Sequence, residues 1–421
     1  MSVFKKNFSK NKISLVFFFL IILSYFLGFF LRENSAGGGP QDLEHEWSNY
    51  NLLKENFLNF LNSNYEASRF PLFHYLNILI GPNISNKQDF ILYLFLYSFL
   101  VPILFFFSVK LNFKYLSNYK IYLIISLIFL SPYFRTSSFW ALQENLAYIF
   151  LFLSLISYQS SIEIVKKYLT IIFAFLSFYA DQKFLIVPII YFLLFFSFEK
   201  KIFYILKKNF LIISLYFFLT IPSLLIFYKW GGISAPGGNK SELRLDNLIF
   251  FIHILSIYII PVVFLQRNLS KEILKILEIK SLVIIVFFII IYFVINQYFF
   301  VDEQIVGGGW LNKIYFLLKK KNLFFAEVFF FCGSLFSFCI LLIYLNIIKL
   351  DLIKSVILIY YIFLSISINI IFQEYFDPII SLLIIFYLSK SFFRNLKFSK
   401  LIIINLYYLI FLILSILYRS L

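Results

Sequence analysis

Three carboxylates and a histidine fall within six residues at Asp42-Leu43-Glu44-His45-Glu46-Trp47. A carboxylate held against apolar surface takes a raised pKa and can then serve as a base. Clustered carboxylates also offer oxygen ligands to a divalent ion. The same residues would equally begin a helix, with Asp42 as its cap. A second patch, Tyr65–Tyr75, sets Arg69 beside Glu66. The planar guanidinium fork suits phosphate or carboxylate, and it also suits anchoring at a membrane interface. The stretch Phe134–Asn145 holds Arg135, Gln143 and Glu144, polar groups that are costly at a membrane edge unless paired. Ala180–Lys183 brings Asp181 and Lys183 into one short connection, where the lysine neutralises a phosphate or snorkels to water. The glycine-rich segment Lys229–Asn247 contains Trp230 and Lys240 but lacks the residue order of a P-loop. Phe372–Pro378 adds Gln373 and Glu374, side chains able to line a sugar site or to cap a turn.

The elements that must position these residues are set by composition. The chain has 421 residues, 62% of them hydrophobic and only 14% charged. Soluble chains carry about 45–50% apolar and about 25% charged residues, so a soluble domain is excluded. Apolar runs long enough for a bilayer recur from Ile13 to Tyr418. They are continuous and do not alternate, which selects helices over a barrel. The expected fold is all-α, a polytopic transmembrane bundle of about 11–13 spans. Spans are placed near 13–31, 90–109, 121–134, 141–158, 168–180, 184–198, 209–227, 248–265, 281–299, 322–348, 355–372, 378–391 and 400–418. Residues 1–421 form a single transmembrane domain. Its external loop 32–89 carries amphipathic helices on the bilayer, one starting at Asp42 and anchored by Trp47 and Tyr50, one over Phe70–Ile80. The segments 121–158 and 168–198 each read as a tight hairpin or a broken helix.

The formal charge of +16 sits in lysine clusters between apolar runs, as in cytoplasmic loops. No nucleic-acid recognition module is present. An inside N-terminus puts the larger share of Lys and Arg inside and most acids outside. Lys319-Lys320-Lys321 breaks that pattern, so either 300–321 is an outer interfacial helix or one span is miscounted. The first apolar run lacks a small-residue cleavage site and reads as an uncleaved span. Cys332 and Cys339 share one apolar run and read as buried thiols.

With these residues in place, the chain resembles the membrane-embedded glycosyltransferases of the GT-C superfamily, which use lipid-phosphate sugar donors. Those families carry an acidic motif in the first external loop, where Asp42, Glu44 and His45 stand here. Within the superfamily it is similar to the α-1,2-glucosyltransferases that add the last glucose to the dolichol-linked oligosaccharide. Trp230-Gly231-Gly232, Gly238-Asn239-Lys240 and His253 resemble the loop and following span of that family. Two features depart from it: Leu43 splits the acidic pair, and the late Asp-Asn-Arg-His motif is absent.

The resemblance implies a polyprenyl-phosphate sugar donor, a lipid-linked or surface glycan acceptor, and inverting transfer at the outer face of a bacterial inner membrane. In that reading Asp42 is the base, with Glu44 as its rival. Arg69, Arg135 and Lys183 meet the donor phosphate. His45, Glu144, Trp230, Lys240, Gln373 and Glu374 meet sugar or acceptor. A divalent ion, Mg or Mn, is compatible with the superfamily and is not required by it. The alternatives are a lipid-linked glycan flippase or transporter, and a glycan polymerase or ligase.

Overall fold

The computed structural model describes residues 2–61, 65, 69–82, 84–196, 209–231, 243–265, 269–298, 307–348, 351–368, 370–372, 376 and 397–420. Among them every regular element is helical. Among the described residues, seven helices are long and apolar enough to cross a membrane. Shorter apolar helices at Glu144–Tyr158, Gln182–Phe195 and Leu352–Ile366 accompany them. The chain divides into two compact units, Met1–Asn239 with Asn405–Leu421, and Lys240–Ile404.

In the first unit α1 (Ser2–Phe30) is followed by α2 (Gly39–Glu55) and the short α3 (Leu72–Leu79). Helices α4 (Lys87–Ser98) and α5 (Leu100–Asn112) together form one apolar stretch, and Asn86 caps its start by accepting from Asp89 N at 2.9 Å. The sequence places one span at 121–134. The structure instead breaks it into α6 (Asn118–Phe129) and α7 (Pro132–Phe139), bent by 62°. Proline lacks an N–H and its ring clashes with the preceding turn. Pro132 therefore ends α6 and starts a new helix capped by Ser131, which accepts from Phe134 N at 3.1 Å. All eight residues of α7 are buried. Next come α8 (Glu144–Tyr158), α9 (Thr170–Ala180), α10 (Ile186–Phe195) and α11 (Phe210–Trp230).

The last helix, α18 (Phe398–Ser420), contributes its residues from Asn405 onward to this unit. Asn405 Nδ2 donates to Leu123 O at 3.0 Å, and Ser126 Oγ donates to Asn405 Oδ1 at 2.6 Å. Further along, Arg419 Nη2 donates to Ala36 O at 2.7 Å. The C-terminal end of α18 thus lies on the side where α1 ends.

The second unit holds α12 (Asn247–Phe264), the short α13 (Leu269–Ile276), α14 (Ile279–Tyr298), α15 (Gly309–Lys319), α16 (Leu323–Ile348) and α17 (Leu352–Ile366). A polar seam joins α12 to α16: His253 Nε2 lies 2.7 Å from Ser334 Oγ, and Ser256 Oγ donates to Ser337 Oγ at 3.0 Å. Polar pairs of this kind hold helices together in lipid. Cys332 is exposed and Cys339 only half-buried, so neither is the fully buried thiol expected from the sequence.

Candidate active site

The start of α2 is shaped by the turn after α1. Gly37 and Gly38 adopt φ of +89° and +76°, a left-handed region that glycine enters without a Cβ clash. Gly38 caps α2 and Pro40 fills its first turn. Asp42 was expected to begin the helix; it sits within the first turn instead. The turn is held from several sides. Ser35 Oγ donates to Pro132 O at 3.0 Å, Ala36 N donates to Thr136 Oγ1 at 2.9 Å, and Trp140 Nε1 donates to Glu33 O at 2.9 Å. Trp47 and Tyr50 do not anchor α2 in lipid. They pack on Phe90 of α4, and Tyr50 is buried.

Glu144, at the first residue of α8, is the hub of a charged cluster. Arg69 forms an ion pair with its Oε1. Lys183 Nζ lies 3.8 Å from the same oxygen and 3.4 Å from Asp181 Oδ2. Ser137 Oγ donates to Glu144 Oε2 at 3.2 Å. With its amide turned so that the oxygen faces Arg69, Gln143 accepts from Nε and Nη1 at 3.1 and 3.0 Å. Lys183 Nζ also donates to Tyr133 OH at 2.6 Å. Asp181 takes the Lys183 backbone N–H on Oδ1 at 3.0 Å, which fixes the turn between α9 and α10. Glu144 and Asp181 are each 1% exposed, so their charges depend on these partners. Burial works against the Arg69 charge, while Glu144 and then Asp181 hold its pKa well above the usual value. The connection that delivers Gln143 and Glu144 contains Ala141 at φ +57°, a backbone region uncommon outside glycine and enriched where function dictates geometry.

Asp42 lies within electrostatic reach of this cluster. Its surface remains accessible, yet the protein mass around it disfavours its charge and pushes its pKa up to about 6. Arg69 and Lys183 pull that value down; Glu144 and Glu46 push it up. Glu46 stands one turn after Asp42 on the same face. Its Oε2 lies 2.9 Å from His74 Nε2, and its carbonyl oxygen lies 3.2 Å from the same nitrogen. Tyr65 OH lies 3.2 Å from His74 Nδ1. His74 thus bridges Tyr65 and Glu46.

No family model matches the chain, and no curated protein or solved structure matches it either.

The site residues expected from sequence separate into groups. Arg69 and Lys183 meet at Glu144, and Asp42 lies within electrostatic reach of them. Glu44 does not join them: it is exposed and pairs with Lys87, and His45 beside it is exposed as well. Arg135 is also elsewhere. Its guanidinium is 2% exposed and spans Glu33, with Nε–Oε1 at 2.8 Å and Nη2–Oε2 at 2.5 Å. Nη2 donates further to Ser24 O at 2.8 Å, so this arginine clamps the end of α1 to α7 and offers no donor to a phosphate. Trp230 stacks on Phe70, the residue after Arg69, with ring centres 5.7 Å apart. It lines an apolar groove with Phe60, Pro222, Leu225, Ile226 and Lys229. Lys240, Gln373 and Glu374 lie outside the described residues. Glu46 stood in the acidic motif without a role of its own, for which its i, i+4 spacing from Asp42 was the available signal, and Tyr133 was not singled out by sequence. Among the described residues, no three His, Cys, Asp or Glu side chains gather as ligands for one metal ion.

Proposed function

We propose that this protein is a membrane glycosyltransferase of GT-C type, with about 11–13 spans, an inside N-terminus and its site at the outer face of a bacterial inner membrane. It moves a sugar from a polyprenyl-phosphate donor to a lipid-linked glycan or other acceptor, with inversion. The observation that carries this is an accessible carboxylate, Asp42, whose pKa burial raises to about 6 and which lies within electrostatic reach of the partly buried cations Arg69 and Lys183. A base needs a pKa near the working pH, and a departing phosphate needs fixed positive charge.

In the reaction, Asp42 takes the proton of the acceptor hydroxyl as its oxygen bonds to the anomeric carbon. The bond from that carbon to the phosphate oxygen breaks, and the lipid phosphate leaves with its charge beside Arg69 and Lys183. Glu144 keeps both cations in place between turnovers and must yield part of their hydrogen bonding to the phosphate. The apolar groove beside Trp230 is lined on α11 by Pro222, Leu225, Ile226 and Lys229, which suits a lipid tail beside an anionic head. Incubating the purified chain with a panel of radiolabelled polyprenyl-phosphate sugars and lipid-linked acceptors tests the proposal. Transfer of label from at least one donor is expected. Lipid movement between leaflets with no transfer would favour a flippase.

A further inference from the structure

The connection between α15 and α16 carries Lys319, Lys320 and Lys321. Helix packing fixes the side on which they lie. The contacts His253–Ser334 and Ser256–Ser337 advance together by one turn in α12 and α16. The two helices are therefore parallel and start on the same side. Helix α15 does not cross in between. It folds back along α16: a Cβ on Gly333 would lie 3.1 Å from Leu311 Cδ2, and the rings of Tyr315 and Phe330 are 5.2 Å apart. The lysines form the tip of a helical hairpin on the side where α12 begins.

The sequence-based orientation, with an inside N-terminus, assigns residues 319–321 to the outer face, where lysine clusters are disfavoured. Large apolar side chains surround it. Leu317, Leu323, Phe324 and Phe325 are 61, 51, 75 and 57% exposed. Lys320 and Lys321 are exposed above them, and Lys319 Nζ lies 5.9 Å from the centre of the Tyr315 ring. Basic groups over an apolar collar match the two ends of one partner, a lipid with a phosphate head and hydrocarbon chains.

We propose that the α15–α16 tip binds an anionic phospholipid of the outer leaflet, its phosphate on Lys319–Lys321 and its chains against Leu323–Phe325. This rests on the topology and not on sugar transfer. The test uses the full chain in neutral detergent, titrated with phosphatidylglycerol or phosphatidylcholine and read by native mass spectrometry. Each lysine near an anionic surface contributes a factor of about five. Replacing all three with glutamine should weaken phosphatidylglycerol retention by on the order of a hundredfold, leave phosphatidylcholine unchanged, and be reversed by the triple arginine variant. Should the triple glutamine variant fold poorly, Lys320→Gln alone should still show about a fivefold loss. Equal phosphatidylglycerol retention by wild type and glutamine variants would overturn the proposal. So would labelling of Lys320→Cys by an impermeant maleimide only after cells are permeabilised.

Discussion

Gly28 is a sharp test of how the end of α1 is held. A Cβ at this position would lie 2.5 Å from Arg135 Nη2, 2.5 Å from Glu33 Oε2 and 2.8 Å from Phe139 Cε2. None of these can retreat cheaply, because Arg135 is 2% and the Glu33 side chain 6% exposed. Gly28→Ala gains about 1 kcal/mol of helix preference. Overpacking costs about 1–3 kcal/mol, and separating a buried ion pair raises that toward the 3–5 kcal/mol range of pair disruption. The net expectation is a loss of about 2 kcal/mol or more. Arg135→Met alone should cost about 3–5 kcal/mol, because it strands the Glu33 charge. The double variant Glu33→Leu/Arg135→Met should recover most of that loss, and in its background Gly28→Ala should become neutral or stabilising. The assay is reversible unfolding of the purified protein by detergent titration. If Gly28→Ala is equally harmful in both backgrounds, the glycine is not there to admit the ion pair. If the double variant loses donor-lipid binding while keeping its stability, Arg135 belongs to the site after all.

Asp42 binds its proton more tightly in the folded chain, so its contribution favours the fold below about pH 4 and is lost as pH rises through about 6. Asp42→Asn should therefore flatten the fall in thermal stability between those values, and an unchanged pH slope would contradict the shifted pKa. Arg419→Ala should speed amide exchange of residues 36–42 while α9 stays protected, with Arg419→Lys partly restoring protection; unaltered exchange would show that α18 does not hold the turn. A cysteine at Ser48 should react with impermeant maleimide in intact cells and one at Ser270 should not. The opposite pattern would invert the topology.

The helical membrane architecture was legible because lipid leaves so few alternatives for a backbone: each long apolar run had to close its own hydrogen bonds. The break at Ser131-Pro132 falls within 121–158, read from the sequence as a tight hairpin or a broken helix, though the apolar residues before it left 121–134 placed as one span. Lys319–Lys321 lie at the tip of a helical hairpin, and α15 packs along α16 where the sequence offered an interfacial helix or a miscounted span. Pairing was much less legible. Arg69 meets an acid 75 residues away and Arg135 one 102 residues away, and nothing local distinguishes the two arginines. Helix periodicity did separate the first-loop acids. Asp42 and Glu46 share one face, and Glu44 must leave it. Weight given to Glu44 and His45 came from chain proximity and the family resemblance, while helix geometry turns both toward solvent.

Sugar transfer by Asp42→Asn tests the central claim most directly, measured with a radiolabelled polyprenyl-phosphate donor beside Glu44→Gln as the internal comparison. The amide keeps the shape of the side chain and removes its basicity. Donor binding and folding should persist while the transfer rate falls by about 10²–10⁴, and Glu44→Gln, altering only an exposed pair with Lys87, should stay within a few-fold of wild type. Near-normal turnover by Asp42→Asn would remove Asp42 from the role of base and contradict the account.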